Sequence, residues 1–377
     1  MTQKYSVIID GVRSPIGLKN GKMLGILPDE LCSQVVKKLI KRNSNLNPAL
    51  IEDLILGCAF PEGSQGMLMA RGVGILSDLP IKSAAKVINR FCGSSMDAVH
   101  QISQAIHSED IEAGIAAGVE DMFSVPMGGF NPSFNPDLYE KDYYIGMGET
   151  AENLAVKLNI SREDQEEFAM NSHKKSLNAI KKGFFENEIV SVINNGLEIK
   201  RDEGPRDPDI GKIKSLEPAF DENGTITAAT SSPISIGASA LLITSNGLHE
   251  QIDSKRKFKI LSRAITGVEW TEMGKGPIPA TEKALRKAKM SIKDIDVIEL
   301  NEAFAAQSLY VIRKAGWDIN KINLHGGAIA LGHPLGCSGA RILVTLMNVM
   351  EQNNLTTGLA TMCIGTGQGI ATIIERI

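Results

Sequence analysis

Three stretches of the chain carry side chains able to act as nucleophile, base or acid. Cys92 stands in "VINRFCGSSMDAV" (Val87 to Val99), at the seam between an apolar run and a helical pattern. After it Met96, Val99, Ile102 and Ile106 recur at three- and four-residue intervals, so a helix beginning at Gly93 to Ser95 is expected. A thiol at the positive end of a helix can have its pKa lowered by roughly 1 to 5 units from about 8.5, which favours the thiolate. A lone cysteine is nevertheless more often a packed structural thiol, so other residues must decide. His333 lies inside "LHGGAIALGHPLGCSGARILVTLMNVM" (Leu324 to Met350), flanked by Gly332 and Pro334. Such flanks permit an unusual backbone path and then stiffen it, which suits a histidine held as a general base. Cys363 lies in "LATMCIGTGQGIATIIERI", where two β-like runs flank a glycine turn.

Other chemistry is disfavoured by local context. The glycine-rich loop around His333 does not continue into Gly-Lys-Ser/Thr, as a phosphate loop would. His333, Cys337 and Cys363 have the composition of a zinc site but lack conventional ligand spacing, so no metal is expected. Gly365-Thr-Gly367-Gln-Gly369 imitates a dinucleotide fingerprint, yet a strand pattern and not a helix follows it. "ELNEAFAAQ" (Glu299 to Gln307) ends an apolar strand with Asn301 and Glu302, where α/β proteins place ligands. Alone, an Asn-Glu pair is more often a helix cap.

Short β-rich runs such as "YSVIID" and "IEDLILGC" alternate with amphipathic stretches such as "LCSQVVKKLIKR", the pattern of an α/β protein. "IEDLILGCAF" (Ile51 to Phe60) resembles "IDVIELNEAF" (Ile295 to Phe304), which suggests two similar halves. Chance likeness between two strands is the alternative. From Asp121 to Ser231 the composition shifts to Met, aromatic, Gly and Pro residues. Within that region "SREDQEEFAMNSHKKSLNAIKKG" reads as a helix capped by Ser161, with Phe168, Leu177 and Ile180 as its apolar positions. The region is expected to be a loop-rich subdomain lying over a site. The helix nearer the C-terminus should present Leu343, Val344, Met347 and Met350 on one face.

At 377 residues, with 43% hydrophobic and 22% charged residues, the chain has the composition of a globular protein of two or three domain-sized units. A net charge of -4 gives no reason to propose nucleic acid, and a polyanionic ligand would need a local basic site. No run approaches the ~20 apolar residues of a membrane span, and no signal peptide is evident. A cytoplasmic location is therefore expected. Five widely spaced cysteines, an odd number, do not form a disulfide framework.

Taken together, the stretches resemble the thiolase family. The likeness rests on "VINRFCGSSMDA", on "NEAFAAQ" with "GGAIALGHPLGCSGAR", and on "CIGTGQGIA". "PAFDENGTITAATSS" (Pro218 to Ser232) and "IGMGETAENLA" (Ile145 to Ala155) are similar to the family's loop-domain and CoA-side segments, so the resemblance covers nearly the whole chain. It implies a duplicated five-layer αβαβα fold with an inserted loop domain. The N-terminal half would take residues 1–121 and 235–256, the insertion 122–234, and the C-terminal half 257–377.

The resemblance also implies roles. Cys92 would be the nucleophile that becomes acylated, and His333 the base that activates it. Cys363 would protonate, or in reverse generate, the acetyl-CoA carbanion. His333 and a water held by Asn301 would form one oxyanion site, and the backbone N–H groups of Cys92 and Gly365 a second. Ser232, Arg206, Phe220, Met147 and Phe304 fall where the family contacts coenzyme A, with the placement of Arg206 requiring a one-residue gap. Coenzyme A and acyl-CoA would be substrates, with no tightly bound cofactor, and the protein would be a homodimer or homotetramer.

Within the family, "NRFCGSS", "TSS" at Thr230 to Ser232, and Gly146 before Met147, where biosynthetic enzymes carry histidine, are more similar to degradative 3-ketoacyl-CoA thiolases. The alternative is an acetoacetyl-CoA thiolase condensing two acetyl-CoA. A non-catalytic acyl-CoA-binding relative would be expected to lose one of Cys92, His333 or Cys363, and a cysteine hydrolase would not need the second thiol. Ile236-Gly237-Ala238, where the family has Asp-Gly-Ala, and Pro233 depart from the pattern.

Overall fold

The computed structural model describes residues 4–252, 254 and 256–377. In chain order, the first half contains β1 (Ser6–Arg13), α1 (Pro28–Arg42), β2 (Ile51–Gly57), α2 (Met69–Leu76), β3 (Ala84–Ile88), α3 (Ser94–His107) and β4 (Ala113–Asp121). Two long peripheral helices follow, α4 (Met147–Lys157) and α5 (Arg162–Lys181), and β5 (Ser235–Ser245) then returns to the first half. The second half contains β6 (Phe258–Gly267), α6 (Pro277–Ala288), β7 (Val297–Leu300), α7 (Ala305–Ala315), α8 (Leu335–Gln352), β8 (Thr357–Ile364) and β9 (Gln368–Arg376).

The strands form one sheet in the order β7-β8-β9-β6-β1-β5-β4-β2-β3, with Gly17–Leu18 as a short additional strand on β5. Two half-sheets meet where β1 pairs with β6 through only Val7–Lys259 and Ile8–Phe258. Each half repeats one pairing sequence. β2 is parallel to β4, which is antiparallel to β5, which is antiparallel to β1. Likewise β7 is parallel to β8, which is antiparallel to β9, which is antiparallel to β6. The two similar sequence segments thus occupy equivalent strands, β2 and β7. The partner of β2 on its outer side, β3, has its counterpart in a single parallel bridge from Ile298 to Ile322.

Helices divide the molecule into five layers. α1 packs on the outer face of the first half-sheet, burying Leu31, Cys32, Val35, Val36 and Leu39 at helical spacing. Pro28 opens this helix, Asp29 and Glu30 occupy its first turn, and Lys41 and Arg42 its last, which matches the helix dipole. α6 covers the outer face of the second half-sheet. Between the half-sheets lie α3 and α8, packed on each other and on strands of both sides. This central position corrects one expectation: α8 is buried on every side from Gly336 to Met350, not on one face. A helix between two sheets has no solvent face to keep polar.

Between Asp121 and Ser235 no strand joins the large sheet; a small hairpin (Val192–Asn194, Leu197–Ile199) and short helices accompany α4 and α5. The Ser161 side chain accepts the Asp164 N–H and caps α5 as expected. The buried face of α5 is instead small and polar, with Gln165, Ala169, Ser172, His173, Ser176 and Ala179, while Phe168, Leu177 and Ile180 are half-buried. Close approach of backbone explains it, since a Cβ on Gly326 would lie 2.1 Å from Ser176 Oγ.

Candidate active site

Cys92 occupies a single 3-10 turn, Phe91–Gly93, that leads into α3. Phe91 holds a left-handed φ of 42°, unusual for a side chain of its size. Three local bonds maintain it: Phe91 N–H to Asn89 Oδ1 (2.8 Å), Arg90 N–H to Ser94 Oγ (2.9 Å) and Ser94 O–H to Phe91 O (2.6 Å). The turn presses against the end of β8, because a Cβ on Gly93 would fall 2.5 Å from Ile364 Cδ1. Burial pushes the Cys92 thiol up to about 11, opposed by hydrogen bonds from the N–H groups of Gly365 and of Cys92 itself. The helix start and the turn after β8 each aim one backbone donor at the sulfur, but the expected low resting pKa is not found, because burial outweighs them.

His333 is reached through Gly332, whose φ is 112° and whose Cβ would meet Ile16 Cγ2 at 2.6 Å. Its N–H donates to Ser235 Oγ (2.9 Å). On the ring, Nδ1 lies 2.6 Å from Ser338 Oγ, and the Ser338 hydroxyl donates to Pro334 O (2.9 Å). With its hydrogen on Pro334 O, Ser338 accepts at Nδ1, an assignment that puts the ring proton on Nδ1 and leaves Nε2 as the basic atom. Nε2 faces Asn301 Nδ2 at 3.4 Å. Burial first, then the Arg341 guanidinium, lower the His333 pKa to about 3, which keeps the imidazole neutral. The sequence alone does not single out Ser338. Its signal was a hydroxyl in the first turn of a helix, five residues after the histidine.

Cys363 is next to last in β8, opposite Gly369 on β9, and is buried in a cluster with Met147, Ala303 and Phe304. Burial, then the neighbouring Cys92 thiol, push its pKa upward. The turn beyond it bends through Thr366 (φ 64°) and Gly367 (φ 87°), and a Cβ on Gly367 would lie 2.4 Å from Val268 O. Asn301 follows β7, fixed by its N–H on Thr361 O (3.1 Å). Its Oδ1 is buried without a protein partner, as suits an atom that holds water or substrate. Asn301 caps no helix, since α7 starts at Ala305 after Phe304. Glu302 is an internal strut, accepting from Ser172 Oγ (2.7 Å), Asn323 Nδ2 (2.8 Å) and Ile329 N (3.2 Å).

The five residues expected on the coenzyme A side separate into two places. Met147 lies over Gly365, where an added Cβ would be 3.4 Å from its sulfur. Phe220 covers Gly148 and stacks edge-on against Phe304, with ring centroids 5.7 Å apart. Ser232 N–H donates to Ala303 O (3.0 Å), which brings it to the same group. Arg206 makes its contacts elsewhere: its N–H donates to His173 Nδ1 (3.4 Å) on α5 and its guanidinium to Gly204 O (3.2 Å). Of the unusual residues, Ile236 is a buried strand position and Gly237 passes 3.0 Å (as an added Cβ) from Pro334 Cγ, beside His333.

Two thiols, a neutral imidazole with Nε2 free to accept, and donors converging on one sulfur form a set able to make and resolve a thioester. Comparison with known proteins accords with it. Models of the thiolase N-terminal domain and the thiolase C-terminal domain match residues 6–247 and 254–376. The chain belongs to the thiolase family. Among similar members, 3-ketoacyl-CoA thiolase of a Marinomonas species is 46% identical, with 98% of each chain covered. The 3-ketoacyl-CoA thiolase of Alcanivorax borkumensis is 45% identical over 100% of both. The crystal structure of Bacillus anthracis acetyl-CoA acetyltransferase superposes with a TM-score of 0.92 at 34% identity, covering 100% of this chain and 99% of that one. The thiolase fold thus accommodates the layers, the duplicated pairing and the insertion described above.

Proposed function

We propose that this thiolase cleaves 3-ketoacyl-CoA with coenzyme A, giving acetyl-CoA and a shortened acyl-CoA, as in fatty acid β-oxidation. The observation that carries the reading is the convergence of Cys92, Cys363 and the Gly365 N–H at one point, with His333 held as a Nε2 base by Ser338. Full-length relatives named 3-ketoacyl-CoA thiolase favour it over condensation of two acetyl-CoA.

Cys92 Sγ adds to the ketone carbon while its proton passes to His333 Nε2, so the thiolate forms as it is used. Negative charge on the ketone oxygen meets His333 and water on Asn301. The bond between the second and third carbons then breaks. Its electron pair stays on acetyl-CoA, which takes the Cys363 proton, and Cys92 is left as an acyl thioester. The thiol of incoming coenzyme A gives its proton to Cys363 and attacks that thioester, whose oxygen is bound by the Cys92 and Gly365 N–H groups. Cys92 leaves and recovers its proton from His333. Met147, Phe220, Phe304 and Ser232 would hold the pantetheine side, and Arg206 would balance phosphate charge. No metal or bound cofactor enters these steps.

We read the enzyme as a cytoplasmic homo-oligomer. Five free thiols fit a reducing compartment, and no helix among the described residues is long and apolar enough to cross a membrane. β3 leaves an edge of the sheet unpaired, near Met67, Ile75 and Ile81, whose exposures are 101%, 54% and 80%. An apolar open edge of this kind suits pairing with a second copy. Thiolysis of acetoacetyl-CoA and 3-ketohexadecanoyl-CoA, followed as acetyl-CoA release, tests the reading. Turnover extending to the long chain is expected, whereas no turnover of either substrate contradicts it.

A further inference from the structure

Glu120, next to last in β4, has its carboxylate between the turn carrying Cys92 and the loop carrying His333, and no step above uses it. It is 1% exposed. Oε2 accepts the Ala59 N–H (2.7 Å) and the Gly336 N–H (2.8 Å). Oε1 accepts the Phe60 N–H (3.2 Å) and Gln65 Nε2 (2.9 Å), with the Cys58 thiol at 3.7 Å. Gln65 is itself fixed, taking the Asp121 N–H on its Oε1 (2.6 Å).

Each side of this clamp leads to a reacting residue. On the first side, Asn89 Nδ2 donates to Ala59 O (2.9 Å), and Asn89 Oδ1 accepts the Phe91 N–H (2.8 Å), one residue before Cys92. The Phe60 ring also packs on the Phe91 ring, with centroids 5.7 Å apart. On the second side, Gly336 is three residues beyond His333, in the first turn of α8. Only glycine fits there: a Cβ would lie 2.6 Å from Cys58 Cα and 2.7 Å from Glu120 Oε2. Cys92 belongs to the first half of the chain and His333 to the second, so their relative placement depends on contacts across the seam.

We propose that Glu120 is a positioning residue that sets the Cys92 turn and the His333 loop in register by binding backbone N–H groups of both sides in one carboxylate. Burial raises the Glu120 pKa, and the N–H groups of Ala59, Gly336 and Phe60 with the Gln65 amide oppose it, because a protonated oxygen would have to turn a hydrogen toward an N–H. Burial is the main cause of the raised Cys92 pKa, and the Glu120 charge adds to it. The groups near it that titrate are the thiols of Cys58, Cys92 and Cys337. An amide at this position keeps the shape, loses the charge and faces an NH₂ group at the backbone donors. A misplacement approaching 1 Å at reacting groups can slow turnover by roughly a hundredfold.

This inference rests on the thiolase reading, and one experiment separates the two. Steady-state thiolysis and the pH profile of Cys92 alkylation by iodoacetamide, located by peptide mass, are measured for the wild type and for Glu120→Gln. Wild-type turnover reports on the reaction itself. For the variant, kcat should fall by about 10- to 100-fold with KM for coenzyme A within about twofold, while the alkylation midpoint moves to lower pH. A more reactive Cys92 combined with slower turnover is not what general loosening of the fold produces. An unchanged kcat, or turnover and alkylation falling together, would overturn the proposal.

Discussion

The first half of the chain and the second share one strand-pairing pattern, yet the ends of their equivalent strands carry different chemistry. After β2 come Cys58, Ala59 and Phe60, and after β7 come Asn301 and Glu302. β4 ends in Val119, Glu120 and Asp121, whereas Cys363 and Ile364 end β8. The first half contributes Cys92 ahead of its inner helix, and the second contributes His333 ahead of its own. A buried carboxylate grips loop backbone at the end of a strand in each half, Glu120 in the first and Glu302 in the second, and Glu120 also reaches Gly336 of the second half. The repeated pairing supplies two frames with facing helix starts, and on the proposed reading one carries the nucleophile and the other the proton-handling groups. Neither half alone contains the site.

The division can be broken in several ways. The largest loss short of removing the nucleophile is expected for Cys363→Ala, at about 10²- to 10⁴-fold in thiolysis, the range of general acid–base contributions. Exchange of the acetyl group between acetyl-CoA and labelled coenzyme A, which needs Cys363 only for the thiol proton of coenzyme A and moves no carbon-bound proton, should fall less. Equal loss in both assays would deny that the two thiols have separate tasks. Next, Asn301→Ala should lower kcat by about 10²- to 10³-fold, equivalent to about 2.7–4 kcal/mol of barrier. A change confined to KM would remove Asn301 from the oxyanion site.

The smallest effect concerns the seam. A Cβ on Gly339 would lie 2.4 Å from the backbone nitrogen of Met96, so α8 and α3 touch there. Overpacking from Gly339→Ala should cost about 1–3 kcal/mol of stability, read from the denaturant midpoint. A midpoint equal to the wild type would show that the helices need not meet so closely.

Much of the site could be read from single stretches because its signals are local. A cysteine before a helical repeat, a histidine between glycine and proline, and a cysteine ahead of a glycine turn each took their place from nearby sequence. The weak likeness of Ile51–Phe60 to Ile295–Phe304 correctly marked equivalent strands. Signals that arise between distant segments were not legible. The Cys92 pKa is governed by burial between the halves, so the helix start alone gave the wrong direction. α8 looked amphipathic because Arg341, Thr345 and Asn348 interrupt its apolar run, yet all three are buried. Asn348 is satisfied there by Glu188 (2.8 Å) from a segment 160 residues away. Glu120 meets Ala59 and Gly336, partners that only the fold brings near. Arg206, which the resemblance places only with a one-residue gap, contacts His173 on α5 and Gly204.

The central claim is that Cys92 carries the acyl group. Intact-mass analysis after brief exposure to acetoacetyl-CoA without added coenzyme A tests it most directly. One acetyl adduct per chain, mapped to the peptide containing Cys92 and absent from Cys92→Ala, is the predicted result. An adduct that persists undiminished in Cys92→Ala, or that maps to Cys363, would contradict the account.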